Sequence, residues 1–365
     1  MRVEELDTPC LVVELDRTER NLRDMAEAAQ RAGVGLRPHA KTHKSPILGK
    51  RQLELGAIGL TLAKIGEAEV FVDAGIDDIL IAYPIVGAQK YPRLLNLAER
   101  ARITISLDDL EAAQALSQAA RERGVAVQVL LEIETGFSRV GAQPGPPAVE
   151  LARRLADLPG LRLRGVMTFE GHVYGGADEA ARREITYRSA HLMLETAEAL
   201  RAAGIPVEVT SMGSTPSAKL AMEVPGVTEV RPGTYVFYDA NHVRFGLVTE
   251  DQVSATVHAR VVSHPAPDRA VIDAGSKALT QDGPVLGARG LGLVKGLPGW
   301  RLDRATEEHG MLVRQGEAPP LRVGDRLEII PNHICPVVNL YDVMYVARDG
   351  EVVDVWPVAA RGRLQ

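Results

Sequence analysis

The 365-residue sequence contains only two cysteines, Cys10 and Cys335, and few aromatic residues. Two thiols cannot build a disulfide framework, so we expect a reducing, cytoplasmic location. No segment approaches the roughly 18 consecutive apolar residues of a membrane helix. The start, MRVEELDTPC, lacks the basic and apolar regions of a signal peptide. The net charge is -6, the charged residues are scattered along the chain, and no block of basic residues occurs. These absences argue against membrane and nucleic-acid partners.

The chain is long enough for two domains, and its pattern changes once along its length. For about the first 235 residues, short apolar, β-branched segments alternate with amphipathic helical stretches such as Asp108–Arg123, which Asp108 or Asp109 could cap. Regular alternation predicts a parallel sheet, and eight units predict a (β/α)8 TIM-type barrel, which we assign to residues 12–240. The eight predicted strands are Gly35–Lys41, Ala57–Thr61, Asp78–Ala82, Ile103–Leu107, Ala126–Ile133, Leu163–Thr168, Val207–Ser211 and Glu229–Arg231.

After Val243 the helical periodicity nearly disappears, and alternating strand-like segments are separated by turns. We therefore predict a C-terminal antiparallel β-domain. Residues 1–11 could join it, because Thr8–Val13 resembles a strand that precedes the first helix. We assign residues 1–11 and 241–365 to this domain. Its predicted strands are Val253–Val262, Ala270–Ile272, Leu327–Ile330, Val343–Ala347 and Val352–Val358.

Polar, reactive side chains follow five of the eight barrel strands. In this fold such side chains come from the carboxyl ends of the strands and the loops after them. The sequence therefore predicts a site at that face of the barrel. The segments are Arg37–Lys44, Glu134–Arg139, Phe169–Tyr174, Ser211–Thr215 and Arg231–Tyr235.

Gly213, Ser214 and Thr215 open a predicted helix after strand seven, where N–H groups and hydroxyls can bind a phosphate. Gly233 allows a second close backbone approach after strand eight. A phosphate cradle facing Lys41, at the end of strand one, indicates pyridoxal phosphate held by a Schiff base. Taken alone, the Gly-Ser-Thr segment is equally well an ordinary turn and helix cap, and a single lysine is usually a surface charge.

These segments together resemble the D-threonine aldolase / D-serine dehydratase family. Its members are fold-type III pyridoxal-phosphate enzymes related to alanine racemase. The resemblance covers essentially the whole chain, and it depends on the order and spacing of the motifs more than on any one of them. Besides the barrel segments, it includes Asp273–Lys277, Glu307–Gly310 and Pro331–Cys335.

The resemblance implies roles for individual residues of the barrel. Lys41 binds the cofactor covalently, and Arg231 faces the pyridine nitrogen, which would stay unprotonated because guanidinium has no proton to give. Arg139 matches an arginine near the phenolic oxygen, with a surface salt bridge as the alternative. His172 would line the substrate pocket, although it could be a merely packed histidine. Lys41, Arg139 and His172 are the predicted catalytic residues; Tyr174, Gly213, Ser214, Thr215, Gly233, Thr234 and Tyr235 complete the predicted cofactor-binding set.

His333 and Cys335 form the predicted metal site of the second domain. On an extended segment, residues two apart point to the same side, so imidazole and thiolate could share one ion. An isolated His-x-Cys is usually incidental, but the resemblance implies a divalent metal here. Several aldolases of the family have His-x-Asp, whereas the dehydratases have His-x-Cys. A thiolate favours zinc, and a carboxylate would suit manganese or magnesium.

The resemblance implies a lyase that uses pyridoxal phosphate and a divalent metal on D-β-hydroxy amino acids. We expect a D-threonine aldolase, which forms glycine and acetaldehyde. D-Serine dehydratase is the alternative, which the His-x-Cys pair favours. Two remote alternatives are an amino-acid racemase and a non-catalytic carrier of the cofactor. A racemase has no evident use for the metal, and a carrier has no evident use for the second domain. The resemblance also implies a head-to-tail homodimer with active sites between subunits.

Overall fold

The computed structural model describes all residues, Met1–Gln365, and the chain forms two compact units. The first, here called the barrel unit, comprises Met25–Lys41, Pro46–Gly233 and Gly362–Gln365. The second, the β unit, comprises Met1–Asp24, Thr42–Ser45 and Thr234–Arg361. The four residues that directly follow Lys41 therefore belong to the β unit.

The barrel unit contains a parallel sheet of eight strands, as predicted. Strand β1 (Cys10–Glu14) belongs to the β unit, and the next eight strands follow one another along the barrel. They lie in the order β2-β9-β8-β7-β6-β5-β4-β3, and a parallel bridge between His39 and Thr61 joins the two ends of the sheet. Their bounds are β2 (Gly35–Leu36), β3 (Leu60–Leu62), β4 (Asp78–Ile81), β5 (Arg102–Leu107), β6 (Val127–Glu132), β7 (Leu161–Met167), β8 (Val209–Met212) and β9 (Glu229–Val230).

Helices connect the strands of the barrel, and local sequence sets their ends. Helix α5 starts after Asp109, whose carboxylate accepts the N–H of Ala112 at 2.8 Å, and ends at Gly124, which has a φ of 73°. Of the two predicted caps, Asp109 is the one found; Asp108 accepts the N–H of Gly141 instead. The helices up to the end of the barrel are α1 (Leu15–Ala32), α2 (Pro46–Glu54), α3 (Ile65–Asp73), α4 (Tyr91–Ala98), α5 (Leu110–Arg123), α6 (Pro146–Ala156), α7 (Glu179–Ala202) and α8 (Ala218–Ala221).

The β unit contains a nine-stranded sheet that is mostly antiparallel. Strand β1 pairs antiparallel with β10 and parallel with β16, so the N-terminal segment joins this sheet, as predicted. The sequence did not indicate β12, β13 or β14. The strands after the barrel are β10 (Ala255–Ala266), β11 (Arg269–Ile272), β12 (Gly292–Val294), β13 (Trp300–Ala305), β14 (Gly310–Arg314), β15 (Arg326–Pro331), β16 (Val343–Arg348) and β17 (Glu351–Pro357).

Three short helices interrupt the β unit: α9 (Ala240–Arg244), α10 (Ser276–Leu279) and α11 (Ile334–Val338). Val12 and Val257 are fully buried in the paired strands β1 and β10, and Ile329 is fully buried in β15 beside them. Burial of such side chains gives the β unit an apolar core of its own. None of the helices in either unit combines the length and the apolar character needed to cross a membrane.

Candidate active site

Two predicted site residues from different loops of the barrel unit meet over one aromatic ring. The Nζ atom of Lys41 lies 5.9 Å from the centroid of the Phe169 ring, and the guanidinium carbon of Arg139 lies 4.6 Å from it. Phe137 packs edge-on against Phe169 at 5.4 Å. Phe169 was not among the predicted catalytic or cofactor-binding residues, although its position as an aromatic residue directly before Glu170-Gly171-His172 was a signal for it. The loops after β2, β6 and β7 thus converge, as a barrel requires.

Three cationic side chains of the barrel unit act on His39. Burial, together with the positive charges of Lys41, Arg231 and Arg139, holds the pKa of His39 well below its ordinary value. His39 is therefore neutral near pH 7, and its buried Nδ1 has no hydrogen-bond partner. A neutral imidazole surrounded by several cations is a favourable environment for an anionic ligand.

Arg231 is buried directly after β9, and hydrogen bonds fix its guanidinium. One terminal nitrogen donates to the Ser211 hydroxyl at 2.5 Å, and the other to the Thr168 carbonyl at 2.6 Å. Burial lowers the pKa of Arg231, but Glu229, Glu170 and Glu132 oppose this effect. The side chain therefore remains a cation with a fixed direction.

Behind Arg231 lies a chain of buried polar contacts that sequence reasoning missed. The carboxylate of Glu229 accepts the Ser211 hydroxyl at 2.6 Å and the Nε–H of Arg37 at 2.7 Å. Arg37 also donates to Asp78 at 2.6 Å. Every charge in this chain has a partner of opposite sign, which buried ionic groups require. The available signal was the presence of an acid and two arginines at the ends of otherwise apolar strands.

The Gly213–Ser214 segment differs in one respect from the predicted phosphate cradle. Its backbone N–H groups donate to Glu170, which is fully buried, at 3.3 Å for Gly213 and 2.9 Å for Ser214. The Ser217 hydroxyl contacts the same carboxylate. The expectation that these two N–H groups face a phosphate is therefore not what the structure shows; the hydroxyls of Ser214 and Thr215 remain the candidates. The φ of Gly213 is +92°, which excludes most other residues.

The remaining predicted residues of the cofactor site lie in both units. His172 and Tyr174 are in the 3-10 turn Gly171–Gly175 of the barrel unit, and the buried Nδ1 of His172 has no hydrogen-bond partner. Gly233 ends the barrel unit, whereas Thr234 and Tyr235 belong to the β unit. In that unit Thr234 contacts Nε2 of His242 at 3.1 Å, and Tyr235 is buried.

The arrangement fits pyridoxal phosphate in its reactive part. Lys41 provides an amine for covalent attachment beside the Arg139 cation, and Arg231 is a buried, oriented cation. The unpartnered nitrogens of His39 and His172 are buried polar atoms able to bond a ligand. The phosphate end is less evident, because Glu170 already uses two of the expected donors.

In the β unit, His333 and Cys335 stand at the start of α11. The prediction of an extended segment is wrong here, because His333 precedes a helix whose first turn contains Cys335. The two side chains nevertheless hydrogen-bond to each other. Burial lowers the pKa of His333, but Cys335, Asp239 and Asp282 outweigh it and raise that pKa to about 9. No third His, Cys, Asp or Glu completes a metal cluster.

The surroundings of this pair fit a divalent ion bound by two protein ligands. The Thr42 hydroxyl lies 3.1 Å from Sγ of Cys335, and Thr42 is the residue after Lys41 in the chain. The buried Asp239 accepts the N–H of Ile334 at 3.2 Å, which fixes the turn between the two ligands. An imidazole nitrogen and a thiol side by side are zinc ligands by type. By contrast, Cys10 is a buried residue of β1, and burial raises its pKa to about 11.

The fold is that of the alanine racemase-like, fold-type III pyridoxal-phosphate enzymes. Residues 13–241 match the family "Alanine racemase, N-terminal domain", and residues 254–347 match the "Putative serine dehydratase domain". The chain is 37% identical to a D-threonine aldolase of Arthrobacter sp. over 98% of this chain and 93% of that protein. The chain therefore belongs to the D-threonine aldolase / D-serine dehydratase family, and it is a pyridoxal-phosphate-dependent lyase by class.

Solved structures agree with this assignment. The D-threonine aldolase from Filomicrobium marinum superimposes with a TM-score of 0.93 at 36% identity, over 99% of this chain and 97% of that one. The D-threo-3-hydroxyaspartate dehydratase from Delftia sp. HT23 gives 0.91 at 37% identity, over 98% of both chains. A D-threo-3-hydroxyaspartate dehydratase has also been solved as a histidine-to-alanine variant and, metal-free, as a cysteine-to-alanine variant two positions later. The expected family and fold are confirmed.

Proposed function

We propose that this protein is a D-threonine aldolase that uses pyridoxal phosphate and a divalent metal to form glycine and acetaldehyde. The observation that best supports the proposal is the placement of Thr42. Its hydroxyl contacts Cys335 of the metal pair, and its backbone is bonded to Lys41, the proposed attachment point of the cofactor. A D-β-hydroxy amino acid offers one group for each of these elements: an amine for the cofactor and a hydroxyl for the metal.

The residues of the barrel unit would bind and orient the cofactor. Lys41 would hold it covalently, and Arg139 would stabilise negative charge at its phenolic oxygen. Arg231, fixed by Ser211, would face the pyridine nitrogen and keep it unprotonated. The bound cofactor supplies an electron sink for charge that develops at the substrate. The remaining proposed contacts in this unit are Tyr174, Gly233 and the hydroxyls of Ser214 and Thr215, next to the turn at Gly213. Thr234 and Tyr235 are the proposed contacts in the β unit.

His333 and Cys335 would hold the metal, whose chemistry is to withdraw charge from the substrate hydroxyl. A thiolate ligand favours zinc, with manganese or magnesium as alternatives. Aldol cleavage removes the hydroxyl proton, so it needs a base. His172 is our candidate, because its buried Nδ1 has no partner within the protein. The structures of histidine and cysteine variants of a similar D-threo-3-hydroxyaspartate dehydratase, two positions apart, support the metal pair.

D-Serine dehydratase, forming pyruvate and ammonia, is the second candidate. Cys335 favours it, since family dehydratases have His-x-Cys and a similar dehydratase has been studied as a cysteine variant in a metal-free form. In that reaction Lys41 would take the α-proton. Purified, metal-loaded protein should be incubated separately with D-threonine and D-serine, and glycine and 2-oxo acid should be measured. Formation of glycine and acetaldehyde would support the aldolase function. Formation of 2-oxo acid without glycine would exclude the aldolase and support the dehydratase function.

The same assay excludes the two remote candidates. A racemase would invert only the α-carbon, giving L-serine from D-serine and L-allo-threonine from D-threonine, without forming glycine or 2-oxo acid. A carrier would bind pyridoxal phosphate and show no change of its absorbance when D-threonine or D-serine is added.

The metal is proposed to serve the reaction and not the fold. Cys335→Ala should keep the cofactor absorbance and the thermal midpoint near those of the unchanged protein while activity collapses, because the β unit has its own apolar core. Removal of the metal from the unchanged protein by a chelator should have the same effects as Cys335→Ala, and addition of zinc or manganese should then restore activity. Cys335→Asp should shift preference toward manganese or magnesium. Unfolding on chelation would show a structural ion, and full turnover after chelation would show that no catalytic metal exists.

We also propose a head-to-tail homodimer with active sites between subunits, in which Asp273–Lys277 and Glu307–Gly310 approach the partner's barrel. The support is the family membership. Light scattering should give the mass of a dimer at assay concentrations. A stable, fully active monomer would exclude this arrangement.

A further inference from the structure

We propose that Asp282 is a positioning residue that fixes the ring orientation and the tautomer of His333 for metal binding; this inference rests on the proposed function. Oδ2 of Asp282 lies 2.9 Å from Nδ1 of His333. A carboxylate accepts only, so Nδ1 carries the proton of this bond. The lone pair of a neutral imidazole then belongs to Nε2, which is the nitrogen left to share an ion with Cys335.

Asp282 is held in place by the residue that precedes the ligand. The side-chain amide of Asn332 donates to the carbonyl oxygens of Asp282 and of Gly290, both at 2.9 Å. Asn332 is buried, and its own oxygen accepts from Arg244 at 2.7 Å. The carboxylate and the imidazole are therefore anchored to the same point at the end of β15, although Asp282 itself is half exposed.

A second anchor fixes the loop that carries Asp282. The backbone N–H of Val285 donates to the side-chain oxygen of Asn241 at 3.1 Å, and Asn241 lies in α9 of the same unit. Carboxylates that bond the outer nitrogen of a metal-binding histidine set its tautomer and raise its basicity. With only two protein ligands at this site, a misdirected imidazole would leave Cys335 as the single correctly placed donor.

The test compares Asp282→Asn and Asp282→Ala with the unchanged protein and with a matched control, Asp303→Asn. Asp303 is an exposed carboxylate of the same unit that bonds Arg301 and neither metal ligand. Holoprotein would be stripped of metal, and its affinities for zinc and cobalt(II) measured by competition with a chromophoric chelator. The cobalt–thiolate absorbance reports Cys335 directly.

We expect both Asp282 variants to bind zinc and cobalt about 10–100-fold more weakly than the unchanged protein. Saturating cobalt should still give the thiolate absorbance, Asp282→Glu should recover part of the affinity, and Asp303→Asn should match the unchanged protein. Dissociation constants equal to those of the unchanged protein would overturn the inference while leaving the proposed metal pair intact. If the unchanged protein binds no metal, both the pair and the inference fail. Asp282→Asn preserves shape, so an altered fold of Asp282→Ala would not decide the matter.

Discussion

Removal of the Glu229 carboxylate should destabilise the barrel unit by breaking a buried ion pair. Glu229 is 4% exposed and accepts from Arg37 at 2.7 Å and from Ser211 at 2.6 Å. Loss of one partner of a buried pair costs roughly 3–5 kcal/mol. Since Arg37 keeps its contact with Asp78, we expect the lower end for Glu229→Leu, about 3 kcal/mol. Glu229→Gln keeps the shape and one acceptor oxygen, so it should cost less.

Thermal unfolding followed by circular dichroism measures this loss. A cost of about 3 kcal/mol corresponds to roughly 6–12 °C for a domain of about 150–250 residues. The matched control is Glu208→Gln, because Glu208 also bonds two arginines, Arg162 and Arg164, but at the surface, where ion pairs contribute little. An unchanged midpoint for Glu229→Leu, or an equal shift for Glu208→Gln, would refute the reasoning. Cofactor retention should also fall, because Ser211 would no longer be fixed beneath Arg231.

Lys41→Ala should abolish borohydride-reducible attachment of pyridoxal phosphate and nearly all activity, as checked by mass spectrometry; an adduct on another lysine would contradict the assignment. Burial lowers the pKa of His258 from 6.5 to about 4 and leaves Nδ1 unpartnered. The unfolded chain therefore binds a proton at this residue as the pH falls below 6.5, whereas the folded protein does so only near pH 4, so stability is lost between these values. His258→Gln should flatten the dependence of the unfolding midpoint on pH in that window. Equal slopes for the variant and the unchanged protein would count against this prediction. Because the pKa of Cys10 is raised to about 11, this thiol should resist a disulfide reagent that modifies Cys335. Bound zinc should protect Cys335 from the same reagent. Equal reactivity of the two thiols would contradict this prediction.

The repeating pattern of the barrel could be predicted because each strand is short, apolar and followed by an amphipathic helix. The same reasoning missed β12, β13 and β14. In β13 only Trp300 and Leu302 alternate with charged residues before Arg304 breaks the pattern, at the register shift of its pairing with β14. The extended interpretation of His333 and Cys335 was wrong because a helix begins directly after His333. Proline is compatible with the first turn of a helix, and that is where Pro336 lies.

Side-chain partners were harder to predict than strands. Lys41 and Arg139 could be proposed from their positions after strands, whereas Glu170 could not be matched to the N–H groups of Gly213 and Ser214. The two elements come from neighbouring strands that are far apart in sequence, and single-sequence patterns contain no information on such pairs. A count of acids and arginines at strand ends would have indicated that buried charges pair there, but not which ones.

The acidic surroundings of Arg231 limit how this enzyme could be redesigned. An acid at that position is an obvious way to alter the electronic behaviour of a bound pyridine ring. Here, however, Arg231→Glu would add a fourth carboxylate to Glu229, Glu170 and Glu132, which now stabilise the guanidinium. The new acid would take up a proton or disrupt the barrel. A laboratory or an evolving lineage could therefore change this residue only together with its neighbours, so the reaction chemistry of the barrel is coupled to its charge balance.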